Sequence, residues 1–410
     1  MPDERTIVIG AGQAGLAASY WLTQRGIAHL ILERGRVADA WRHARWDSFC
    51  LVTPNWTITL PGAAYSGAEP GGFMLRDAYV THLEDWARRF AAPVREGVAV
   101  HRLSGRPGAF RLETSQGSFE ASNVIVATST YQSPRRPAAA RQAPAYVEQL
   151  NASEYRHPAA LRPGAVLVVG SGQTGCQLAE EIHEAGRATY LCVGKAGRLP
   201  RRYRGRDCIE WQRDMGYLDR TPQMLDDPAH RFRGDPHLSG KNGGRTLSLH
   251  IFHRAGIVLL GGLHGFDGTR ALLAPDLHET LEGADAFARN LMAQMDRYIL
   301  QAGIVAPPPS AAELEGEPAA GWSVPVIASL DLEAAGITTI IWATGFDFDF
   351  SWIEFPVFDV ARYPRTARGV TEIPGLYFMG LNWMHKRKSG IIYGVGEDAA
   401  WVVEHIARRR

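Results

Sequence analysis

Ile7-Val8-Ile9-Gly10-Ala11-Gly12-Gln13-Ala14-Gly15 decides how this chain folds, together with Val166-Leu167-Val168-Val169-Gly170-Ser171-Gly172-Gln173-Thr174-Gly175. Each stretch carries Gly-x-Gly-x-x-Gly between an apolar β-branched run and a helical pattern, the context of a dinucleotide-binding strand, turn and helix. The first glycine permits a tight bend, the second lets backbone approach a pyrophosphate, and the third lets helix pack on strand. The helix start then offers free N–H groups and a positive dipole end to phosphate. The triplet alone carries little weight, because chance supplies about half an occurrence in a chain this rich in glycine. A decoy, Gly394-Val395-Gly396-Glu397-Asp398-Ala399, has too little chain after it for a second strand. Two turns in the right context imply two dinucleotides, and so electron transfer between two cofactors.

The residue closing the second strand of each unit points to the nucleotide. The strand Ala28-His29-Leu30-Ile31-Leu32 ends in Glu33, with Arg34 beside it. A carboxylate at this place accepts bonds from ribose hydroxyls and repels a 2′-phosphate, so the first site is expected to hold FAD or NAD. In the second unit the equivalent residue is Val193, followed by Lys195, Arg198, Arg201, Arg202, Arg204 and Arg206. A strand end without an acid and a basic loop suit a 2′-phosphate, which implies NADPH with Lys195 and Arg198 as its cations. A solvated basic loop is the alternative.

Composition fits an enzyme acting on small molecules. A formal net charge of +1 gives no general attraction to nucleic acid or anionic lipid. No apolar run is long enough to span a bilayer, and the first strand starts by Thr6, so the expectation is a cytoplasmic protein. The cysteines, Cys50, Cys176, Cys192 and Cys208, show no C-x-x-C spacing. Cys176 opens the second glycine helix and is expected to be a small packing residue.

The stretch from Ala40 to Pro61, with Trp41, Trp46, Phe49 and Trp56, has the character of a loop that walls a flavin ring; plain packing is the other reading. Arg76 to Phe90 and Ala284 to Leu300 read as helices. Pro134 to Pro144 reads as a linker, and Pro307 to Gly321 as an exposed loop of low complexity. Ile337 to Phe346 is a strand ending in Ala343-Thr344-Gly345, Gly375 to Gly380 is another, and Gly396 to Ile406 is a terminal helix. The expected fold is α/β with two Rossmann-like domains, the NADPH domain inserted in the FAD domain. Residues 1–150 and 325–410 would form the FAD domain, and 160–324 the NADPH domain with an insertion shaping the substrate pocket. Lys386, Lys388 and the helix start near Gly396 could stabilise negative charge on the flavin, with a solvated basic loop the favoured alternative.

The order of these features resembles class B flavin-containing monooxygenases over nearly the whole chain, above all their short bacterial branch, flavoproteins labelled as potassium-transport associated. Trp46-Asp47-Ser48-Phe49, Leu51, Thr53-Pro54-Asn55-Trp56, Leu60-Pro61-Gly62 and His237-Leu238-Ser239-Gly240-Lys241 carry that closer likeness. The resemblance implies FAD and NADPH as cofactors. It also implies hydride transfer to FAD, a C4a-peroxyflavin formed with dioxygen and shielded by NADP⁺, and oxygen transfer to a nitrogen or sulfur of a small substrate. The partners implied are that substrate and dioxygen, with no nucleic acid and no integral membrane association, and a homodimer as the oligomer considered. Asn55 is placed near the flavin by this likeness, with a turn residue after Pro54 the equal alternative. The family motif F-x-G-x-x-x-H-x-x-x-Y/F falls here on Ala145, Val147, Asn151 and Tyr155, so only Tyr155 matches and Asn151 stands in place of the histidine. The Trp that follows this motif in the Baeyer–Villiger variant is absent. Two other readings fit the same residues: a flavin reductase without oxygen insertion, and an FAD-binding redox protein that turns over poorly.

Overall fold

A computed structural model describes residues 6–234 and 236–409. Two five-stranded parallel sheets carry the fold. In the first, Leu376–Phe378, Asn123–Val126, Thr6–Ile9, His29–Leu32 and Val94–Arg95 lie side by side in that order. In the second the order is Glu148–Asn151, Ile337–Trp342, Ala165–Val169, Thr189–Cys192 and Val258–Leu260. Both sheets place the strand entering the glycine turn at the centre. Those central strands, Thr6–Ile9 and Ala165–Val169, are buried along their whole length, which explains their continuous apolar sequence: both faces of a parallel sheet are covered.

The repetition extends further. Each unit carries a three-stranded antiparallel sheet before the strand that returns beside the glycine turn. In the first it is Val100–Arg106, Ala109–Thr114 and Gly117–Ala121. In the second it is Leu263–Asp267, Arg270–Leu273 and Ser329–Asp331, with the helix Leu277–Gln301 inserted before the last strand. The helix Gln13–Gln24 packs against the terminal helix Ile392–Arg408, whose Ile392, Val395, Ala399, Val402 and Ile406 form one buried stripe. Among the described residues no helix is long and apolar enough to cross a membrane.

The borders expected from sequence move. Ile337–Trp342, assigned to the first unit, lies between Glu148–Asn151 and Ala165–Val169 in the second sheet. Glu148–Asn151, at the expected end of the first unit, belongs there too. A strand buried on both faces has no alternation to betray which sheet it joins, so its sequence fits either unit equally. The chain crosses between the units at Ser133–Pro134 and Phe346–Asp347, which pair antiparallel. Arg135 reinforces the crossing, with its N–H on the Gly345 carbonyl at 2.9 Å and its guanidinium 2.7 Å from Asp347.

Candidate functional site

The two glycine turns have the same sterics. A Cβ on Gly10 would stand 2.8 Å from the Ala127 carbonyl oxygen, and one on Gly170 would stand 2.6 Å from that of Ala343; both backbones are left-handed, at φ +104° and +103°. A Cβ on Gly15 or Gly175 would lie 1.8 Å from the carbonyl of the first glycine of its turn. Gly12 and Gly172 differ: a Cβ there meets nothing within 4 Å. Those two positions open outward, where a diphosphate would approach. Both following helices, Gln13–Gln24 and Gln173–Glu184, start on these glycines with no side-chain cap and no acid in the first turn. Their first N–H groups are left for an anion. Ala14 lies beside Gly380, whose added Cβ would be 2.8 Å from that of Ala14. Thr174 lies in the first turn of the second helix.

Glu33 is buried at the end of its strand. Its carboxylate accepts the Ala11 N–H at 2.7 Å and the Gly35 N–H at 2.9 Å, so it braces the turn. Arg34 beside it is exposed. Trp41 donates its indole N–H to Gln13 Oε1 at 2.9 Å and packs edge-on to Tyr79. The aromatic loop is therefore tied to the start of the first glycine helix. Farther along it, Asn55 opens a short 3-10 turn, donates Nδ2 to the Glu69 carbonyl at 3.0 Å, and leaves Oδ1 buried without a partner. A buried acceptor of this kind is costly unless a ligand completes it.

Three expected flavin contacts change on inspection. The terminal helix starts at Ile392, so Gly396 lies one turn inside it and faces Pro61, its Cβ position 3.2 Å from the Pro61 ring. Lys388 lies 2.5 Å from Glu397 and 3.1 Å from Asp219, and Lys386 lies 2.7 Å from Asp219. Burial lowers the Lys388 pKa, but the two carboxylates outweigh it and hold the ammonium above its ordinary range. Their charge is spent inside the protein, clamping the loop around Asp219 to the terminal segment.

The second turn is covered by 237–241. Gln173 exchanges two hydrogen bonds with Leu238: its side-chain N–H donates to the Leu238 carbonyl, and its Oε1 accepts the Leu238 N–H at 2.9 Å. His237 donates Nε2–H to the Ser171 carbonyl. Burial pushes its pKa down to about 4, opposed by that carbonyl and assisted by the nearby Arg198 charge. Ser171 Oγ in turn joins both backbone groups of Gly194. None of this strap was legible as a contact in the sequence, although 237–241 was singled out by likeness.

The basic loop is mostly not a phosphate site. Arg198 has a side chain only 3% exposed, held by Asp285 at 2.6 Å and Glu317 at 2.7 Å. Burial would raise the Asp285 carboxyl, but bonds from His250 and Arg198 hold it below its ordinary range. Arg201, Arg204 and Arg206 are likewise paired with Asp207, Asp296 and Asp214. Lys195 stays in solvent, 79% exposed and 3.7 Å from Glu279. Ala343, Thr344 and Gly345 follow the second sheet's strand and abut the second turn, not the first. The Thr344 hydroxyl bonds the Arg135 carbonyl of the linker. Asn151 ends an edge strand opposite Trp342, with Oδ1 accepting Arg136 Nε at 3.2 Å. Tyr155 donates its hydroxyl to Glu181 at 3.1 Å. Cys176 is buried, and burial raises its thiol.

Residues 7–204 match the family model described as Pyridine nucleotide-disulphide oxidoreductase. An oxidoreductase of Geobacillus kaustophilus described as CzcO-like is 32% identical over 403 residues, 98% of this chain and 97% of that protein. The indole-3-pyruvate monooxygenase YUCCA8 of Oryza sativa is 30% identical over 202 residues, 46% of this chain and 47% of that one. A solved flavin-containing monooxygenase from Stenotrophomonas maltophilia covers 99% of this chain and 98% of its own, with a TM-score of 0.64 at 18% identity. At that identity the structural likeness establishes the fold.

Proposed function

Because the chain belongs to the CzcO-like oxidoreductases and uses FAD and NADPH as cofactors, we propose that it is a monooxygenase transferring one oxygen atom of O₂ to nitrogen or sulfur in a small substrate. The observation that carries this reading is the pair of matched glycine turns, each open only at its middle glycine and followed by an uncapped helix start. FAD, when bound, accepts hydride from NADPH and makes dioxygen reactive. The protein's own groups bind, orient and exclude water. The backbone at Gly12 and the start of Gln13–Gln24 would hold the FAD diphosphate, Glu33 the ribose, and Trp41 one side of the flavin pocket. Asn55 Oδ1, buried without a partner, would accept a ring N–H. Gly172 and the start of Gln173–Glu184 would hold the NADPH diphosphate beside the strap 237–241, with Lys195 as a cation offered to the 2′-phosphate. Asn151 steadies the segment beside the second turn through Arg136.

Thiol chemistry has little support. All four cysteines are buried and outside any disulfide, and burial pushes Cys192 and Cys208 up to about 12. The test is stoichiometric. Purified protein, NADPH and oxygen are mixed with a panel of small amines and thioethers, and NADPH consumed is compared with hydrogen peroxide released. A panel member that lowers peroxide per NADPH and appears as its oxide supports oxygen transfer. Peroxide equal to NADPH with every member, without an oxide, assigns the chain to simple oxidation of NADPH.

A further inference from the structure

Arg201 belongs to the second unit, and its side chain reaches into the first. That side chain is only 2% exposed. Its guanidinium donates one Nη–H to the Val52 carbonyl at 2.8 Å and the other to Asp207 at 2.5 Å. The guanidinium carbon stands 5.0 Å from the Phe73 ring centroid. Val52 and Phe73 lie on two runs of the aromatic loop that are paired with each other. The Leu51 N–H donates to the Met74 carbonyl, and the Asn55 N–H to the Gly72 carbonyl, both at 2.8 Å. Arg201 therefore touches both runs, just before Asn55 on one and just after its partner Gly72 on the other.

The neighbouring glycines are fitted to this contact. A Cβ on Gly240 would stand 2.0 Å from the Leu51 carbonyl oxygen. One on Gly244, whose φ is +87°, would stand 2.6 Å from the Phe73 ring and 3.0 Å from Arg201 Cδ. Gly240 continues the strap, whose His237 N–H donates to the Gly197 carbonyl at 3.0 Å and whose Leu238 is bonded to Gln173. Contacts thus run without a gap from the second glycine turn, through the strap and Arg201, to the turn that carries Asn55. An ion pair with Asp207 alone would not need this reach. The guanidinium spends a second donor on a carbonyl of the other unit and leaves Nε buried without a partner, a cost that a purely stabilising pair would avoid. We propose that Arg201 is a positioning residue: its bond to Val52 fixes the turn at Pro54 and Asn55, so that Asn55 Oδ1 meets the flavin while the second unit presents NADPH. The assignment rests on the placement of FAD and NADPH proposed above, and not on oxygen transfer.

Its test is anaerobic. FAD-loaded protein is mixed rapidly with increasing NADPH, and the fall in flavin absorbance gives a limiting reduction rate and a Kd. Asn55→Ala and Arg201→Met should each slow the limiting rate about tenfold, as for the loss of one hydrogen bond, with FAD content and the Kd for NADPH unchanged. The double variant should be no slower than the slower single one, because both act through one contact. Arg201→Lys keeps a charge for Asp207 without the planar fork, and its rate should fall between those of parent and Arg201→Met. Slowing that multiplies in the double variant overturns the inference, as does the parent's limiting rate in Asn55→Ala or in Arg201→Met. A defect confined to the Kd or to FAD content overturns it too, since that would make Arg201 a prop for cofactor binding. If Arg201→Met fails to fold, Arg201→Lys alone and combined with Asn55→Ala decides by the same criteria. Failure of oxygen transfer would leave these anaerobic rates standing, so the two readings fail separately.

Discussion

At the scale of the residue, position in the fold overrides residue type. Arg198 looks like a phosphate ligand in sequence and is a buried strut in the structure, because its partners Asp285 and Glu317 lie far along the chain and no local pattern announces them. Arg198→Ala leaves Asp285 buried with one partner fewer, a loss of about 3–5 kcal/mol. It should lower the melting temperature and weaken NADH and NADPH use alike. Lys195→Ala should leave stability unchanged and reduce the preference for NADPH by no more than about fivefold, since an exposed pair contributes about 1 kcal/mol or less. Steady-state kinetics with both nucleotides separate the two outcomes. His237 gives a pH signature. Its folded pKa is depressed to about 4, below the ordinary value of 6.5, so the unfolded chain binds the extra proton between those limits. Its neutral burial therefore leaves stability intact above pH 6.5 and removes it as pH falls toward 4, by up to about 3 kcal/mol. His237→Gln should flatten the fall in melting temperature across that window. An unchanged profile would place the acid sensitivity elsewhere.

At the scale of the element, the glycine turns were legible because their sterics are local: three glycines, a buried strand before them and a helix after them fix the geometry within a dozen residues. The structure also divides the labour among the glycines. Gly15→Ala puts a Cβ 1.8 Å from the Gly10 carbonyl and should prevent the first unit from folding. Gly12→Ala meets no protein atom within 4 Å, so the FAD-free variant should melt with the FAD-free parent while losing FAD affinity and the added stability FAD confers. FAD content after gel filtration, beside thermal unfolding, checks this pair. Equal FAD content in Gly12→Ala and parent would remove the diphosphate from that turn. The strand Ile337–Trp342 shows the limit of local reading. It is buried at every position but Thr338, as a doubly covered parallel strand is, and only its pairing with Ala165–Val169 and Glu148–Asn151 tells which of two like sheets it completes. The Gln173–Leu238 pairing escaped sequence reasoning for a similar reason: a glutamine after the second glycine carries no mark of the backbone that will meet it.

At the scale of the whole molecule, one architecture is used twice and joined by two short antiparallel crossings, so two nucleotides can approach one cleft from opposite units. The two glycine-turn units and the interruption of one by the other were readable from the sequence; the borders between them were not. The meeting of the aromatic loop, the helix Gln173–Glu184 and the strap 237–241 was not readable either, because these segments come together only in the fold. The function expected of this arrangement is to keep dioxygen chemistry dry under bound NADP⁺. The direct measurement is to reduce the FAD-loaded protein with one equivalent of NADPH without air, mix it rapidly with oxygenated buffer, and follow the absorbance spectrum. The account predicts a long-lived species distinct from both oxidised and reduced cofactor, shortened when reduction is done with dithionite in place of NADPH. Return to the oxidised spectrum with no such species under either reductant would contradict it.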